Sequence, residues 1–89
     1  MVEYKILYSK SALKDAKKLS NANLAIKAKE LIEIIKYNPF QNPPPYEKLI
    51  GNLSGSYSRR INIKHRIVYE VREIDKIIRI SRIWSHYGE

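Results

Sequence analysis

The spacing of apolar residues along the first part of the chain predicts one strand and two helices. Residues 2–8 are rich in β-branched and aromatic side chains, which is typical of a strand. Apolar residues then recur at helical spacing in two stretches. The first begins at an N-cap residue, Ser9 or Ser11, and the second ends before Pro39, because the residue ahead of a proline disfavours the helical conformation. Lysines occupy the other side of these segments, so both helices are expected to be amphipathic.

The second part of the chain predicts a loop followed by strands. Residues 38–46 hold all four prolines and no regular period, which is typical of a loop, and residues 52–55 form a second turn. Three strands are expected after it, at Tyr57–Ile63, Arg66–Arg72 and Lys76–Ser85. The order β-α-α-β-β-β with short final connections predicts an α+β fold, in which two N-terminal helices pack on a mostly antiparallel sheet.

Length and composition limit the class of protein. The chain has 89 residues and no cysteine, so we expect a single domain spanning residues 1–89 that depends on an apolar core, without disulfides or thiolate metal sites. The start of the chain does not have the pattern of a secretion signal, and no apolar run approaches the roughly 20 residues of a membrane helix. The expected location is therefore the cytoplasm, without a membrane partner.

Positive charge is distributed unevenly along the chain. The net charge is +8, which favours a polyanionic or acidic partner. All arginines follow residue 58, namely Arg59, Arg60, Arg66, Arg72, Arg79 and Arg82. Arginine binds phosphate with a planar fork, whereas lysine is a solvated point charge, so this segregation indicates a phosphodiester site. The alternative is that the arginines only protect edge strands against aggregation.

A small set of residues has the chemistry to cleave RNA without a metal. Such a reaction needs a base for the 2′-hydroxyl, positive charge near the phosphorane and an acid for the leaving oxygen. Glu47, Arg66 and His86 are candidates for these roles in that order. No two acidic residues lie at the Asp-x-Asp or Glu-x-x-x-Asp spacings that hold a magnesium pair, so metal-dependent cleavage is poorly supported. Glu47 also has an ordinary interpretation as a solvated pair with Lys48.

Four stretches of the sequence resemble motifs of a known toxin family. The stretch Tyr46–Ile61 contains a glutamate, then Asn-Leu-Ser-Gly and Ser-Arg-Arg-Ile, while His65–Tyr69 reads His-Arg-Ile-Val-Tyr. The pair His86–Tyr87 follows near the end, and Pro39–Phe40 fits the same pattern. Together these motifs resemble the Txe/YoeB toxins of the RelE/ParE superfamily.

The resemblance implies a RelE-like fold and a ribosome-dependent endoribonuclease that cuts mRNA in the A site and inhibits translation. By position in the motifs, it makes Glu47 the general base, Arg66 the phosphorane-stabilising residue, His86 the general acid and Tyr87 a supporting residue against the RNA. No cofactor or metal is implied. We further expect RNA-binding residues at Arg59, Arg60, Lys64, His65 and Arg82. The first two of these either hold phosphates or pack under the site, and His65 either contacts RNA or holds a turn.

The resemblance also implies partners. These are the ribosome with its mRNA and an acidic antitoxin of the YefM/Axe type, with operator DNA bound only through the antitoxin complex. Two other functions stay open at this point. One is a ParE-like toxin directed at gyrase, against which Glu47, Arg66 and His86–Tyr87 argue, and the other is a non-catalytic nucleic-acid-binding module.

Overall fold

The computed structural model describes residues 3–19, 22–62 and 64–84. In chain order its helices and strands are β1 (Lys5–Tyr8), α1 (Lys10–Lys17), α2 (Ala22–Tyr37), β2 (Glu47–Lys48), β3 (Ser56–Arg60), β4 (Arg66–Arg72) and β5 (Ile77–Trp84). A 3₁₀ turn at Gly51–Leu53 lies between β2 and β3. The expected α+β fold is confirmed, and the two-residue strand β2 is an addition to it. No helix within the described ranges has both the length and the apolar character needed to cross a membrane.

The five strands form one sheet in the order β1-β5-β4-β3-β2. Strand β1 pairs with β5 in parallel, while all other neighbours are antiparallel. A parallel pair requires a long crossover connection, and here the connection contains both helices and the other three strands. The last of the described strands, β5, therefore lies inside the sheet, between β1 and β4.

Local sequence signals explain where the helices begin and end. Ser9 is the N-cap of α1, since its hydroxyl accepts the backbone N–H of Ala12 at 2.9 Å. The same hydroxyl donates to the carbonyl oxygen of Ser81 at 2.7 Å, which fastens the start of the helix to β5. Helix α2 ends at Tyr37, two residues before Pro39, as the sequence predicts.

The core lies between the helices and one face of the sheet. Fully buried side chains from β4 and β5 meet small or branched residues of the helices, and the cluster includes Ala12, Ala28, Ile35, Ile67, Tyr69, Ile78 and Ile80. Burying a large apolar side chain contributes about 1.5–3 kcal/mol relative to leaving it exposed. Side chains alternate along a strand, so Ser58 on β3 and Arg66 on β4 point to the face of the sheet opposite to the core.

Candidate active site

Glu47 on β2 and Arg66 on β4 form an ion pair that spans the intervening strand β3. Glu47 lies opposite Ser58 in the β2–β3 register, and Arg66 begins the next strand, β4. The Nη1 atom of Arg66 donates to Glu47 Oε1 at 2.6 Å and to Ser58 Oγ at 3.3 Å. The structure thus brings together two of the four predicted catalytic residues, which are 19 positions apart in sequence.

An open cavity of about 300 Å³ lies beside this pair, and its walls are Pro45, Tyr46, Glu47, Ser58, Arg60 and Arg66. The Glu47 side chain is 65% exposed, whereas that of Arg66 is 16% exposed. The carboxylate is therefore accessible to a ligand while the guanidinium lies against the sheet. Two arginines and one carboxylate give the cavity a net positive charge, which suits a phosphate group.

The hairpin between β2 and β3 sets the position of Glu47. Gly55 has φ of 93°, a conformation that glycine adopts readily and other residues avoid, and it directly precedes β3. The backbone N–H of Leu49 donates to the carbonyl oxygen of Ser56 at 2.9 Å, continuing the pairing beyond β2. The Asn-Leu-Ser-Gly motif thus forms the turn that brings Glu47 next to Ser58.

Arg59 is a buried residue that holds the proline-rich loop ahead of Glu47. Its guanidinium donates to the carbonyl oxygens of Pro39, Gln41 and Pro44 at 3.0, 2.9 and 2.6 Å. Its Nε also donates to the Tyr69 hydroxyl at 3.2 Å. The side chain is 0% exposed. A fully buried side chain cannot contact RNA, so the structure removes Arg59 from the predicted RNA-binding residues and places it under the site.

Tyr69 completes this arrangement. Its hydroxyl accepts from Arg59 and donates to the Pro39 carbonyl oxygen at 2.8 Å. Burial raises the pKa of Tyr69, although the neighbouring Arg59 acts in the opposite direction. The phenol therefore keeps the proton that it donates to the loop.

Aromatic contacts fix Tyr46, the residue directly before Glu47. The Arg59 Cζ atom lies 5.2 Å from the centre of the Tyr46 ring, within the range of a cation–π contact. The rings of Phe40 and Tyr57 each have their centres 5.9 Å from that of Tyr46. The loop thus reaches β2 through a packed cluster, which limits the movement of the Glu47 backbone.

The predicted RNA-binding residues near the β3–β4 turn have different surroundings. Arg60 is exposed and lines the cavity, and Lys64 is exposed. His65 is half-buried, with its ring Nδ1 3.0 Å from Asn62 Oδ1, which also accepts the backbone N–H groups of Lys64 and His65 at 2.8 Å each. Because an amide oxygen only accepts, Nδ1 is the donor, and His65 supports the turn.

Arg82 pairs with Asp15 of α1. Its Nε donates to Asp15 Oδ2 at 2.9 Å, and the same oxygen accepts the backbone N–H of Ile83 at 3.0 Å. Burial is the largest single influence on the pKa of Asp15 and raises it, but the hydrogen bonds from Arg82 and Ile83 together with nearby positive charge outweigh it, so the pKa lies below its ordinary value. Arg82 stays 41% exposed and does not line the cavity beside Glu47.

The two other predicted catalytic residues, His86 and Tyr87, lie outside the described residues. Strand β5 ends at Trp84, whose register partner on β4 is Arg66. Within the described ranges, no group of three or more acidic or histidine side chains is placed to hold a metal ion. Ser58 was not predicted as a site residue, although strand alternation places it on the same face of β3 as Arg60.

Comparison with known proteins agrees with the sequence motifs and the fold. A family model described as YoeB-like toxin of bacterial type II toxin-antitoxin system matches residues 8–87. The chain belongs to this family. Toxin YoeB from Synechocystis sp. is 42% identical over 73 residues, which cover 82% of this chain and 76% of that relative. The Txe/YoeB resemblance is thereby confirmed.

Solved structures of toxins share the fold. The YoeB–YefM complex from Staphylococcus aureus contains a chain with a TM-score of 0.80 and 37% identity, covering 97% of this chain and 100% of that one. The archaeal RelE–RelB complex from Pyrococcus horikoshii contains one with a TM-score of 0.78 and 24% identity, covering 99% of this chain and 100% of that one. The similarity to the archaeal RelE chain confirms the RelE-like fold and carries no statement about function.

Proposed function

We propose that this YoeB-like toxin is a ribosome-dependent endoribonuclease that cleaves mRNA in the A site and thereby inhibits translation. The observation that carries the proposal is the exposed Glu47 carboxylate held 2.6 Å from Arg66 beside a cavity that also contains Arg60. A base next to positive charge is the arrangement that metal-free RNA cleavage requires. Membership of the toxin family supports the same reaction.

Glu47 is the general base. Its carboxylate takes the proton of the 2′-hydroxyl, and the resulting oxygen attacks the adjacent phosphorus. The bond from phosphorus to the 5′-oxygen then breaks, which leaves a 2′,3′-cyclic phosphate on one fragment and a 5′-hydroxyl on the other. The exposure of the Glu47 side chain supports this role, because a base must reach the proton that it removes.

Arg66 stabilises the negative charge that develops on the phosphorane. Before substrate binds, its guanidinium is paired with Glu47. A phosphate in the cavity supplies a second anion to the five N–H donors of the arginine fork, which weakens its hold on Glu47. Substrate binding therefore makes the carboxylate available as a base.

His86 is the general acid that protonates the 5′-oxygen, and Tyr87 supports the RNA beside it. Histidine suits this role because it exchanges protons near neutral pH. Only Ser85 separates His86 from Trp84 in the sequence, and the register of β5 places Trp84 opposite Arg66. The proposed acid thus follows closely after a strand end beside the proposed phosphate site.

Other basic residues and the ribosome position the RNA. Arg60, Lys64, His65 and Arg82 are the proposed phosphate contacts, and each has some exposed surface. Such contacts orient RNA without reading its sequence. A small enzyme with an open cavity gains most from a substrate that is already ordered, which explains dependence on the ribosome.

The proposed protein partner is an acidic antitoxin of the YefM/Axe type. The related Staphylococcus aureus toxin is found in a YoeB–YefM complex, and the net charge of +8 favours an acidic segment as ligand. Binding of operator DNA is proposed only for the toxin–antitoxin complex. The proposed location is the cytoplasm, where ribosomes and mRNA are found, and no membrane partner is proposed.

The test is cleavage of a defined mRNA by the purified toxin with and without ribosomes, with the new ends mapped. We expect cuts only on ribosomes, 2′,3′-cyclic or 3′-phosphate ends, and persistence in a chelator at a level that leaves ribosomes intact. Arg66→Ala and His86→Ala should each lower the rate by about 10²–10⁴. Arg72→Ala, which changes an exposed arginine at the other end of β4, is the matched control.

Other outcomes would overturn the proposal. Poisoning of gyrase without RNA cleavage would indicate a ParE-like toxin, and RNA binding without cleavage would indicate a non-catalytic module. A 3′-hydroxyl product would mean attack by a metal-activated water, and the roles given to Glu47 and His86 would then be wrong.

A further inference from the structure

Ser58 lies at the centre of the candidate site although its side chain is almost fully buried. It is 1% exposed and belongs to the middle of β3. Its register partners are Glu47 on β2 and Val68 on β4. A buried residue that is paired on both sides within a sheet has a fixed backbone position. The Ser58 side chain is therefore held in one place beside the cavity that it helps to line.

One nitrogen of Arg66 is shared between a fixed and an exposed acceptor. Nη1 lies 2.6 Å from Glu47 Oε1 and 3.3 Å from Ser58 Oγ. A guanidinium Nη atom carries two hydrogens, so it can donate to both oxygens at once. The hydrogen bond to Glu47 is charged at both ends and the one to Ser58 is not, so the carboxylate is the stronger of these two acceptors.

We infer that Ser58 is a positioning residue that keeps Arg66 aligned while Glu47 changes its charge. This inference rests on the function proposed above. When Glu47 takes up the proton of the 2′-hydroxyl, it becomes neutral and its attraction for the guanidinium falls. The Ser58 hydroxyl does not titrate, so its hydrogen bond is unchanged at the moment when the phosphorane charge develops. Ser58 thus helps to keep Arg66 in place while its bond to Glu47 weakens.

The kinetic test uses Ser58→Ala with Ser56→Ala as its control. Ser56 is also a buried serine on the same face of β3, but it lies opposite Glu70, away from the cavity. We expect Ser58→Ala to lower kcat about 10-fold, with KM for the ribosome–mRNA complex within about twofold of wild type. Ser56→Ala should cleave at the wild-type rate. A Ser58→Ala protein with wild-type kcat would overturn the inference.

Two further variants separate positioning from packing. Ser58→Thr keeps the acceptor oxygen and should cleave faster than Ser58→Ala. In an Arg66→Ala background, Ser58→Ala should add less than about a twofold loss, because it acts through the missing guanidinium. A threonine variant as slow as the alanine variant, or a full additional loss in the Arg66→Ala background, would contradict the inference.

A spectroscopic measurement decides the point without any cleavage. In Glu47→Gln the side chain is neutral, as Glu47 is after it accepts a proton. We expect nitrogen-15 NMR relaxation to show a measurably more mobile Arg66 guanidinium in Glu47→Gln with Ser58→Ala than in Glu47→Gln alone. Equal mobility in both proteins would refute the role of Ser58. A wild-type protein that fails to cleave on ribosomes would instead refute the proposed function.

Discussion

Neighbouring arginines in the Ser-Arg-Arg motif have opposite surroundings. Arg60 is exposed beside the cavity, whereas Arg59 is buried and holds the proline-rich loop. Strand alternation already places Arg59 on the face of Tyr57 and Ile61, which was a signal that it points inward. Its acceptors could not be foreseen, because they are backbone carbonyls of a loop without a repeating pattern. The sequence thus predicts which face an arginine occupies better than what it binds.

The role of Glu47 is tested by Glu47→Gln, which keeps the shape and removes the proton acceptor. We expect cleavage to fall by about 10²–10⁴ because a general base is lost. The melting temperature should hardly change, since an exposed ion pair contributes only about 0–1 kcal/mol. Ribosome affinity should also be near normal. Single-turnover cleavage, thermal unfolding and ribosome binding check these three points.

Glu70→Gln is the matched control, because it changes another glutamate on the same sheet that also faces an arginine, Arg79. It should cleave normally. If Glu47→Gln also cut at the wild-type rate, Glu47 would be an ordinary surface residue and the base would have to be found elsewhere.

At the level of elements, local rules explain the helices and the longest hairpin. The N-cap at Ser9, the end of α2 before Pro39 and the bounds of Arg66–Arg72 all match the sequence predictions. Strand β2 was not predicted, because two residues show no period, and its existence depends on pairing with β3. It is also the element that carries Glu47, so that part of the candidate site required the structure.

The link between α1 and β5 gives a prediction about pH. Asp15 has a pKa below its ordinary value in the folded protein, so it contributes stability above about pH 4, the range of an unfolded aspartate, and loses it as the pH falls through its folded value. We expect Asp15→Asn to lower the free energy of unfolding by about 1–3 kcal/mol at pH 7. The difference from wild type should shrink as the pH falls below about 4.

Urea unfolding over a pH series measures this effect. Asp75→Asn, at an exposed position in the turn between β4 and β5, is the control and should leave stability unchanged. A deficit in Asp15→Asn that is as large at pH 3 as at pH 7 would show that packing, and not the carboxylate charge, is what the substitution removes.

On the scale of the whole molecule, the chain has 17 basic and 9 acidic residues, and we expect this positive charge to govern the proposed association with RNA. The proposed RNA contacts include four lysine or arginine side chains, namely Arg60, Lys64, Arg82 and the phosphorane-stabilising Arg66, and each would neutralise one phosphate. For single-stranded RNA each such contact contributes about −0.7 to the slope of log affinity against log salt, so a fourfold rise in salt should weaken binding about 50-fold. Binding of a non-cleavable RNA across a salt series tests this, and Lys64→Gln should reduce the slope by about 0.7. An affinity independent of salt would contradict these contacts.

The position of β5 inside the sheet has a consequence for synthesis of the protein. All other described strands are translated before it, yet β1 has no described strand partner except β5, and β4 loses one of its two neighbours without it. A nascent chain therefore cannot complete the sheet until residues as far as Trp84 have left the exit tunnel, because non-local strand pairing must wait for the last partner. The sheet is therefore complete only after β5 has emerged, and we expect the proposed nuclease activity to begin no earlier than that.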